Sequence, residues 1–549
     1  MCERSVMDTE SGVVGTSPEI LLCGCFTQAP SHRDVYTLAL TTSELRVQLL
    51  ESPSRAPAAL QLADCLGSRA FRGLSTDPGG HYFSVTAYPT LERRGRRREV
   101  SWTFRVGASP DPEEDRRTAE TWAASICQLA TPVVPGQAGG ALRVLPRPSQ
   151  LLIFLNPRGG KGTAYSLFTT HVLPMLSKAD IGFNLVVTER PNHARELAHD
   201  YALERWDALV VVSGDGLMYE VVNGLMERPD WSSAIKKPLC ILPAGSGNAL
   251  AASVNHYSGQ KQVTNPELLV NCTFHLCKGL VSPMDLVSIT TSSGKRIFSF
   301  LSVAWGFVSD VDIESEKYRM LGAMRFSIGT AIRLAALRIY KGRLAYLPAE
   351  EPSASVSART PDQLIPAAAK GEITSTPVQS HQYTPYNFCN SNNVETLEGN
   401  EEHRSSQSRS GSPGLLDSLL VPLDQPVPTT WKVVKEDKFV MVLALYQSHL
   451  GADLFSAPMV TSLNDHLIQL FYISAGISRA SLIKIFVAME KGTHMEYDCP
   501  YFVHMPVKAF RIEPFGSRDI MTVDGEVIEC ESLQGQVHSG LGRLISGGR

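Results

Sequence analysis

The sequence predicts an α/β domain on a parallel sheet, joined to a second, β-rich domain and preceded by a small β-rich module. Three observations carry this. From 151 to 254, buried-strand runs alternate with amphipathic helical runs, the pattern of βα units with right-handed crossovers. Three glycine-rich segments each follow one of those strands: Asn156-Pro-Arg-Gly-Gly-Lys-Gly-Thr, Ser213-Gly-Asp-Gly and Pro243-Ala-Gly-Ser-Gly-Asn-Ala. Upstream, short apolar or alternating runs separated by Ser, Pro and Gly end in a single helical pattern.

A chain of 549 residues exceeds one hydrophobic core, so two or three domains with linkers are expected. Its 43% hydrophobic and 19% charged residues are those of a globular protein. A net charge of -4 gives no overall pull toward nucleic acid, and no nucleic-acid partner is expected. The chain has no run of about 18 apolar residues, and its start, MCERSVMDTE, lacks the basic and apolar stretches of a signal peptide. A cytoplasmic protein is expected. The 11 cysteines have no CxxC pair and no zinc spacing, so reduced thiols and no bound metal of that kind are expected.

Residues 1–17 read as disordered. Across 18–131, strands are expected at 36–40, 45–50, 82–88 and 100–106, then a helix at 115–129 carrying Trp122 and Ile126. Between two of these strands lies Arg93-Arg94-Gly95-Arg96-Arg97-Arg98. It suits an anionic lipid surface, at about 1 kcal/mol per charge; it equally suits a solvated hairpin tip or a nuclear localisation signal. The Pro- and Gly-rich stretch 132–149 reads as a linker.

In the α/β region the expected strands are 151–155, 183–188, 208–213 and 239–242, with helices at 164–176, 193–203, 217–226 and from 248. Glycine lets backbone N–H groups point into a concave anion site, helix starts behind the loops add positive dipole ends, and Arg158 and Lys161 add charge. Neither GxxxxGK[ST] nor GxGxxG is matched. Asp215, between Gly214 and Gly216, is expected to expose its carboxylate at a strand's C-terminal end, where catalytic groups of open sheets gather. That stretch alone is equally consistent with an Asp that caps the next helix.

After 268 the pattern turns β-rich, with strands at 286–290 and 297–303, and Asp310 and Asp312 read as solvated acids. Met324, Ile328, Ala331, Ile332, Ala335 and Ile339 form an apolar helix stripe beside Arg333, Arg338 and Lys341, a basic amphipathic pattern that suits core packing, a membrane surface or a calmodulin-type partner at 325–341. Residues 349–419 are dense in Ser, Pro, Asn and Glu and read as a disordered insert, with Thr360, Thr376, Thr384 and Ser412 each preceding Pro as candidate phosphorylation sites. Strands follow at 439–446 and 467–474, then a helix at 480–491 with Leu482, Ile485, Phe486 and Met489 on its apolar side.

The set NPRGGKG, SGDGLMYEVVNG and LPAGSGNALA resembles the catalytic domain of the diacylglycerol kinase, ceramide kinase and sphingosine kinase superfamily. TERPNHARE, AWGFVSDVDIESEKYRMLGAMRF, AMEKGTHMEYDCPY and VDGE are similar to vertebrate sphingosine kinases, over about 150–348 and 420–538. Tyr219 stands where that family usually has histidine. The resemblance implies a nucleotide-binding α/β domain at 150–280 and an antiparallel, lipid-binding β-sandwich at 281–348 and 420–549. More loosely, the order of elements in 18–131 resembles a pleckstrin-homology-like module. The implied activity is ATP- and Mg²⁺-dependent phosphorylation of sphingosine with Asp215 as general base. Asn156, Pro157, Arg158, Thr188, Glu220, Gly245, Ser246, Gly247, Arg319, Arg325, Asp524, Gly525 and Glu526 would bind the nucleotide. Asp312, with Ser302 and Ser213, would hold the polar end of the sphingoid base; Phe307, Val308, Phe326, Thr330, Leu454, Phe471, Leu482, Ile485, Phe486, Met489 and His494 would line its tail tunnel. The resemblance also implies recruitment to an anionic membrane and admits a homodimer and a nuclear pool. A ceramide or diacylglycerol kinase, or a catalytically silent membrane adaptor, are the rival readings.

Overall fold

The computed structural model describes residues 19–29, 33–51, 56–74, 77–91, 95–107, 109, 111–132, 143–146, 149–321, 324–349 and 414–547. The expected disordered start, Arg93, Arg94 and the four candidate phosphorylation sites lie outside them, as does the side chain of Arg319.

Seven strands form the first sheet, in the order Ala58–Gln61, Glu44–Leu49, Val35–Thr41, Ile20–Gln28, Val100–Val106, Asp77–Ala87, Cys65–Leu74, every pairing antiparallel. Helix α1 (Pro112–Ala130) closes it. Asp111 caps α1 by accepting from the Glu113 N–H, proline opens its first turn, and acids follow at the positive dipole end. Its Ala119, Trp122 and Ile126 are buried, and Trp122 meets Phe26 and Phe83 with ring centroids 5.2 and 5.7 Å apart. Three of its strands, Ile20–Gln28, Ala58–Gln61 and Cys65–Leu74, were not expected; in the last, Gly and Arg residues disguise the alternation. Gly67 is needed there because a Cβ would stand 2.4 Å from the Lys178 carbonyl oxygen.

Of the described arginines in the basic stretch, Arg96 and Arg98 are exposed and Arg97 is turned inward. Arg97 is only 6% exposed: it pairs with Asp64 at 3.0 Å, donates to the Tyr88 carbonyl at 2.7 Å and lies over the Phe274 ring at 3.6 Å. Arg96 pairs with Glu267 at 2.8 Å. Through Glu267 and Phe274 these two arginines tie the module to the following domain. Arg97→Ala is expected to destabilise the chain by about 2 kcal/mol, from a lost cation–π contact and two hydrogen bonds, read as a lower Tm.

The next region has β1 (Gln150–Leu155), β2 (Gly182–Val187), α2 (His193–Asp200), β3 (Ala208–Ser213), α3 (Asp215–Met226), β4 (Leu239–Pro243) and α4 (Ala249–Tyr257). The strands pair in parallel in the order β2-β1-β3-β4, and β3 and β4 are buried throughout, as continuous apolar runs require. Helix α5 (Glu267–Lys278) occupies a stretch expected to begin the β-rich part. Its Leu268, Leu269, Cys272 and Leu276 are buried, and Gly279, at φ 68°, ends it in the left-handed region.

Strand Leu533–Ile545 lies beside β4, pairing in parallel at Leu239–Leu544, and the sheet continues through Phe502–Pro514, Tyr340–Pro348, Lys438–Leu445 and Ser302–Gly306 in antiparallel pairs. One mixed sheet therefore runs through both halves.

Helices α6 (Phe307–Glu314) and α7 (Met324–Ala335) show the largest departure from expectation. Asp310 is fully buried, accepting from the Tyr340 hydroxyl at 2.6 Å and pairing with Arg333 and Arg338 at 3.4 Å; Arg333 also binds Glu314. The buried face of α7 is Arg325, Gly329 and Arg333, while Met324, at 63% exposed, and Ile332 face outward. Of the roles the stripe suits, core packing is not taken: Asp310, Asp312 and Glu314 of α6 pair with Arg325 and Arg333 of α7, which turns the arginines inward and leaves the stripe outside. Of the three basic side chains beside the stripe, Arg333 is buried while Arg338 and Lys341 stay exposed. Helix α8 (Arg479–Glu490) buries Leu482, Ile485 and Met489, with Ser478 as its cap.

Candidate active site

β1, β3 and β4 end at one sheet edge, and the three glycine-rich loops leave it together. Their glycines allow backbone to press on backbone. A Cβ on Gly245 would stand 2.4 Å from the Gly214 Cα, and one on Gly160 (φ +55°) 2.7 Å from the Ala244 carbonyl oxygen. Asn248, itself left-handed at φ 56°, locks the third loop by accepting from the Gly245 N–H at 3.0 Å and donating to the Gly245 carbonyl at 2.8 Å.

Asp215 opens α3, but its carboxylate reaches across to α4. Oδ2 accepts from the Ala249 N–H at 2.8 Å and Oδ1 from the Leu250 N–H at 3.1 Å. It therefore caps a helix, though not its own, and it is partly buried rather than fully exposed. The positive end of α4 faces this carboxylate, so that dipole serves Asp215 directly and an anion in the loops only at second hand. Burial pushes the Asp215 pKa up and the backbone N–H groups pull it down; burial prevails.

A cavity of about 580 Å³ opens beside Asp215. Its lining passes from Asn156, Ser213, Glu220 and Gly245 to Gly247, through Ser302, Asp312, Arg325, Asp524, Gly525 and Glu526, to Phe307, Val308, Phe326, Thr330, Leu454, Phe486 and Met489. One end is thus made of the glycine-rich loops and the other of apolar side chains. Glu220 also accepts from the Ala194 N–H at 3.1 Å, fixing the start of α2, and burial raises its pKa.

At the junction, Asp312 pairs with Arg325 at 3.1 Å and keeps a quarter of its side chain accessible. Burial pushes its pKa up to about 7 against the pull of Arg325, with Glu316, Glu526 and Asp215 adding repulsion. Arg325, expected to meet a nucleotide, is 5% exposed, shared between Asp312 and Glu316, and lies over the Phe326 ring at 4.1 Å. Asp524 is buried: Oδ1 accepts from the Ser299 hydroxyl at 2.6 Å and the Leu301 and Ser302 N–H groups at 3.0 and 2.9 Å, and Oδ2 from the Phe300 N–H at 3.1 Å. With its carboxylate so engaged and its pKa raised to about 6 by burial, Asp524 positions Gly525 (φ 85°) and Glu526. Glu526 then lies against Gly216, where a Cβ would be 2.3 Å from Oε1.

Several expected residues stand back from the cavity. Arg158 is exposed, Thr188 is buried against the Leu155 carbonyl, and neither these nor Pro157 belong to the lining. Phe471, Leu482, Ile485 and His494 are fully buried behind the apolar wall, which they support without lining it. Sequence reasoning missed Glu316, Leu334, Leu450, Asp453, Ile483, Val487 and Thr522 on the lining. The only sequence signal for them is adjacency, since each lies within a few residues of an expected one. Among the described residues no three His, Cys, Asp or Glu side chains group around a metal position, and no helix is long and apolar enough to cross a membrane.

The arrangement joins an anion cradle, a carboxylate within it, a second carboxylate at the junction and an apolar slot. Residues 150–289 match the diacylglycerol kinase catalytic domain. The chain is 53% identical to sphingosine kinase 1 of Homo sapiens over 410 residues, covering 75% of this chain and 94% of that protein. It is 39% identical to sphingosine kinase 2 of Homo sapiens over 603 residues, covering 96% and 91%. A crystal structure of a diacylglycerol kinase from Bacillus anthracis str. Sterne aligns with a TM-score of 0.41 at 13% identity, over 73% of this chain and 98% of that one. With loops, cavity and near-full-length relatives in agreement, the chain belongs to the sphingosine kinase family.

Proposed function

We infer that the chain is a lipid kinase that transfers the γ-phosphoryl group of ATP to the primary hydroxyl of sphingosine. The observation that carries this is the single cavity joining the glycine-loop cradle to an apolar slot, with Asp215 and Asp312 on its wall. In this reading Asp215 accepts the hydroxyl proton as the oxygen attacks phosphorus, held for that task by the Ala249 and Leu250 N–H groups. Asp312 is the counter-charge for the sphingoid ammonium, which would otherwise enter a low-dielectric slot unpaired. The acids present suit Mg²⁺, which favours one or two carboxylates together with phosphates and water. Glu526, beside Gly216, is the carboxylate that would hold it; when bound, the ion neutralises phosphate charge. Incubation with ATP, Mg²⁺ and sphingosine is expected to yield sphingosine 1-phosphate and ADP one for one; ATP hydrolysis without a phosphorylated lipid would contradict the reading.

Support for the remaining roles comes from the surroundings. The N-terminal seven-stranded antiparallel sheet closed by one helix supports reading 18–131 as a pleckstrin-homology-like module. Residues 150–280 serve as the nucleotide domain, and 281–348 with 420–549 as the lipid-binding sandwich. Met324 and Ile332 on α7 and Ile483 and Val487 on α8 are exposed and apolar, and the last two also line the cavity, which favours docking on a membrane surface from which the lipid is drawn.

Two further outcomes are expected. Gly245→Ala, which forces a Cβ into Gly214, should abolish measurable ATP binding by titration calorimetry while the other half of the chain stays folded. Asp312 must be ionised to hold an ammonium and its pKa stands near 7, so kcat/KM for sphingosine should rise with pH through about 7. In Asp312→Asn that rise should be reduced to the part due to Asp215.

A further inference from the structure

The loop after strand Lys438–Leu445 supplies Leu450, Gly451, Asp453 and Leu454 to the cavity wall. α4 and the turn before it hold much of this loop. The Tyr257 hydroxyl donates to Gln447 Oε1 at 3.1 Å and accepts from the Ser448 N–H at 2.9 Å. The Ser253 hydroxyl, fully buried, accepts from the His449 N–H at 3.1 Å. The Ala452 N–H donates to the Gly247 carbonyl at 2.8 Å, two residues before α4 begins. Tyr257 packs against both large apolar clusters, the one under the parallel sheet and the one behind the tail slot.

The other end of α4 carries the Ala249 and Leu250 N–H groups that hold Asp215. A nine-residue helix is a stiff rod of about 13 Å. A displacement of Leu450 or Leu454 is thus carried to the carboxylate through hydrogen bonds and one helix, with no flexible segment between.

We propose that α4 couples occupancy of the apolar slot to the placement of Asp215, with Tyr257 and Ser253 as the positioning residues of that coupling. This rests on the reading of the chain as a sphingoid-base kinase. A long alkyl chain against Leu450 and Leu454 seats the loop, the loop seats α4, and α4 aims the base. Binding free energy from the remote tail then appears in kcat as well as in KM.

The test compares long-, medium- and short-chain sphingoid bases on the full chain, with kcat and KM measured separately for wild type, Tyr257→Phe and Ser253→Ala. In wild type, kcat falls as the chain shortens. In both variants kcat for the long-chain base falls roughly fivefold to tenfold, as expected for one or two lost hydrogen bonds, and kcat becomes nearly independent of chain length, while the chain-length dependence of KM persists. A kcat independent of chain length in wild type overturns the proposal, as does a variant that keeps the wild-type dependence. Equal loss of kcat at every length together with a lowered Tm also overturns it, because that marks a merely structural role. If wild type phosphorylates no sphingoid base, the underlying reading fails before the variants are compared.

Discussion

Asp215→Asn is expected to lower kcat by about a hundredfold to ten-thousandfold, the range for a lost general base, with little change in Tm. The side chain is nearly isosteric, and its amide oxygen still accepts from one of the two N–H groups at the start of α4. What is lost is the negative charge that takes the hydroxyl proton. A primary alcohol is far too weak an acid to attack phosphorus unaided near neutral pH. ATP binding, measured separately, should survive, because the loop backbones that form the cradle are unaltered. A variant with near wild-type turnover would remove Asp215 from the mechanism and leave it as a cap alone.

Asp312→Asn is expected to reduce kcat/KM for sphingosine by roughly thirtyfold to several thousandfold, since losing one partner of a desolvated charge pair costs about 2–5 kcal/mol. Most of the loss should appear in KM. The variant also leaves Arg325 with Glu316 as its remaining acidic partner, which raises the positive charge facing an ammonium. For a neutral lipid the same change should be close to silent. That contrast separates an amine anchor from an acid that only organises Arg325.

The parallel sheet was legible because β3 and β4 are short continuous apolar runs, each followed by a glycine-rich turn, a pattern that admits few other structures. The three loops were legible for the same reason: glycine at a strand end marks a close backbone approach, and Gly160, Gly214 and Gly245 make one. Long-range pairing was not. Nothing local to Asp215 indicates that Ala249 and Leu250 donate to it, or that Asp524 is consumed by the turn before Ser302. The α7 stripe misled because helical periodicity reports that a helix has two faces, while the acids of α6 decide which one is turned inward. Helix α5 was hidden because it is buried nearly all round, polar Asn271, Thr273, His275 and Lys278 included, which breaks the apolar periodicity that marks a helix. The basic stretch at 93–98 read as a solvated patch since composition cannot show that Phe274 and Asp64 await Arg97.

The central claim is that a phosphoryl-transfer site opens on a slot built for a lipid with a charged amine. Its most direct test is ATP-dependent phosphorylation of sphingosine, ceramide and diacylglycerol side by side, by wild type and Asp312→Asn. Phosphate entering sphingosine alone, with Asp312→Asn suppressing it, is the predicted result; equal or faster phosphorylation of ceramide or diacylglycerol, unaffected by Asp312→Asn, would contradict it.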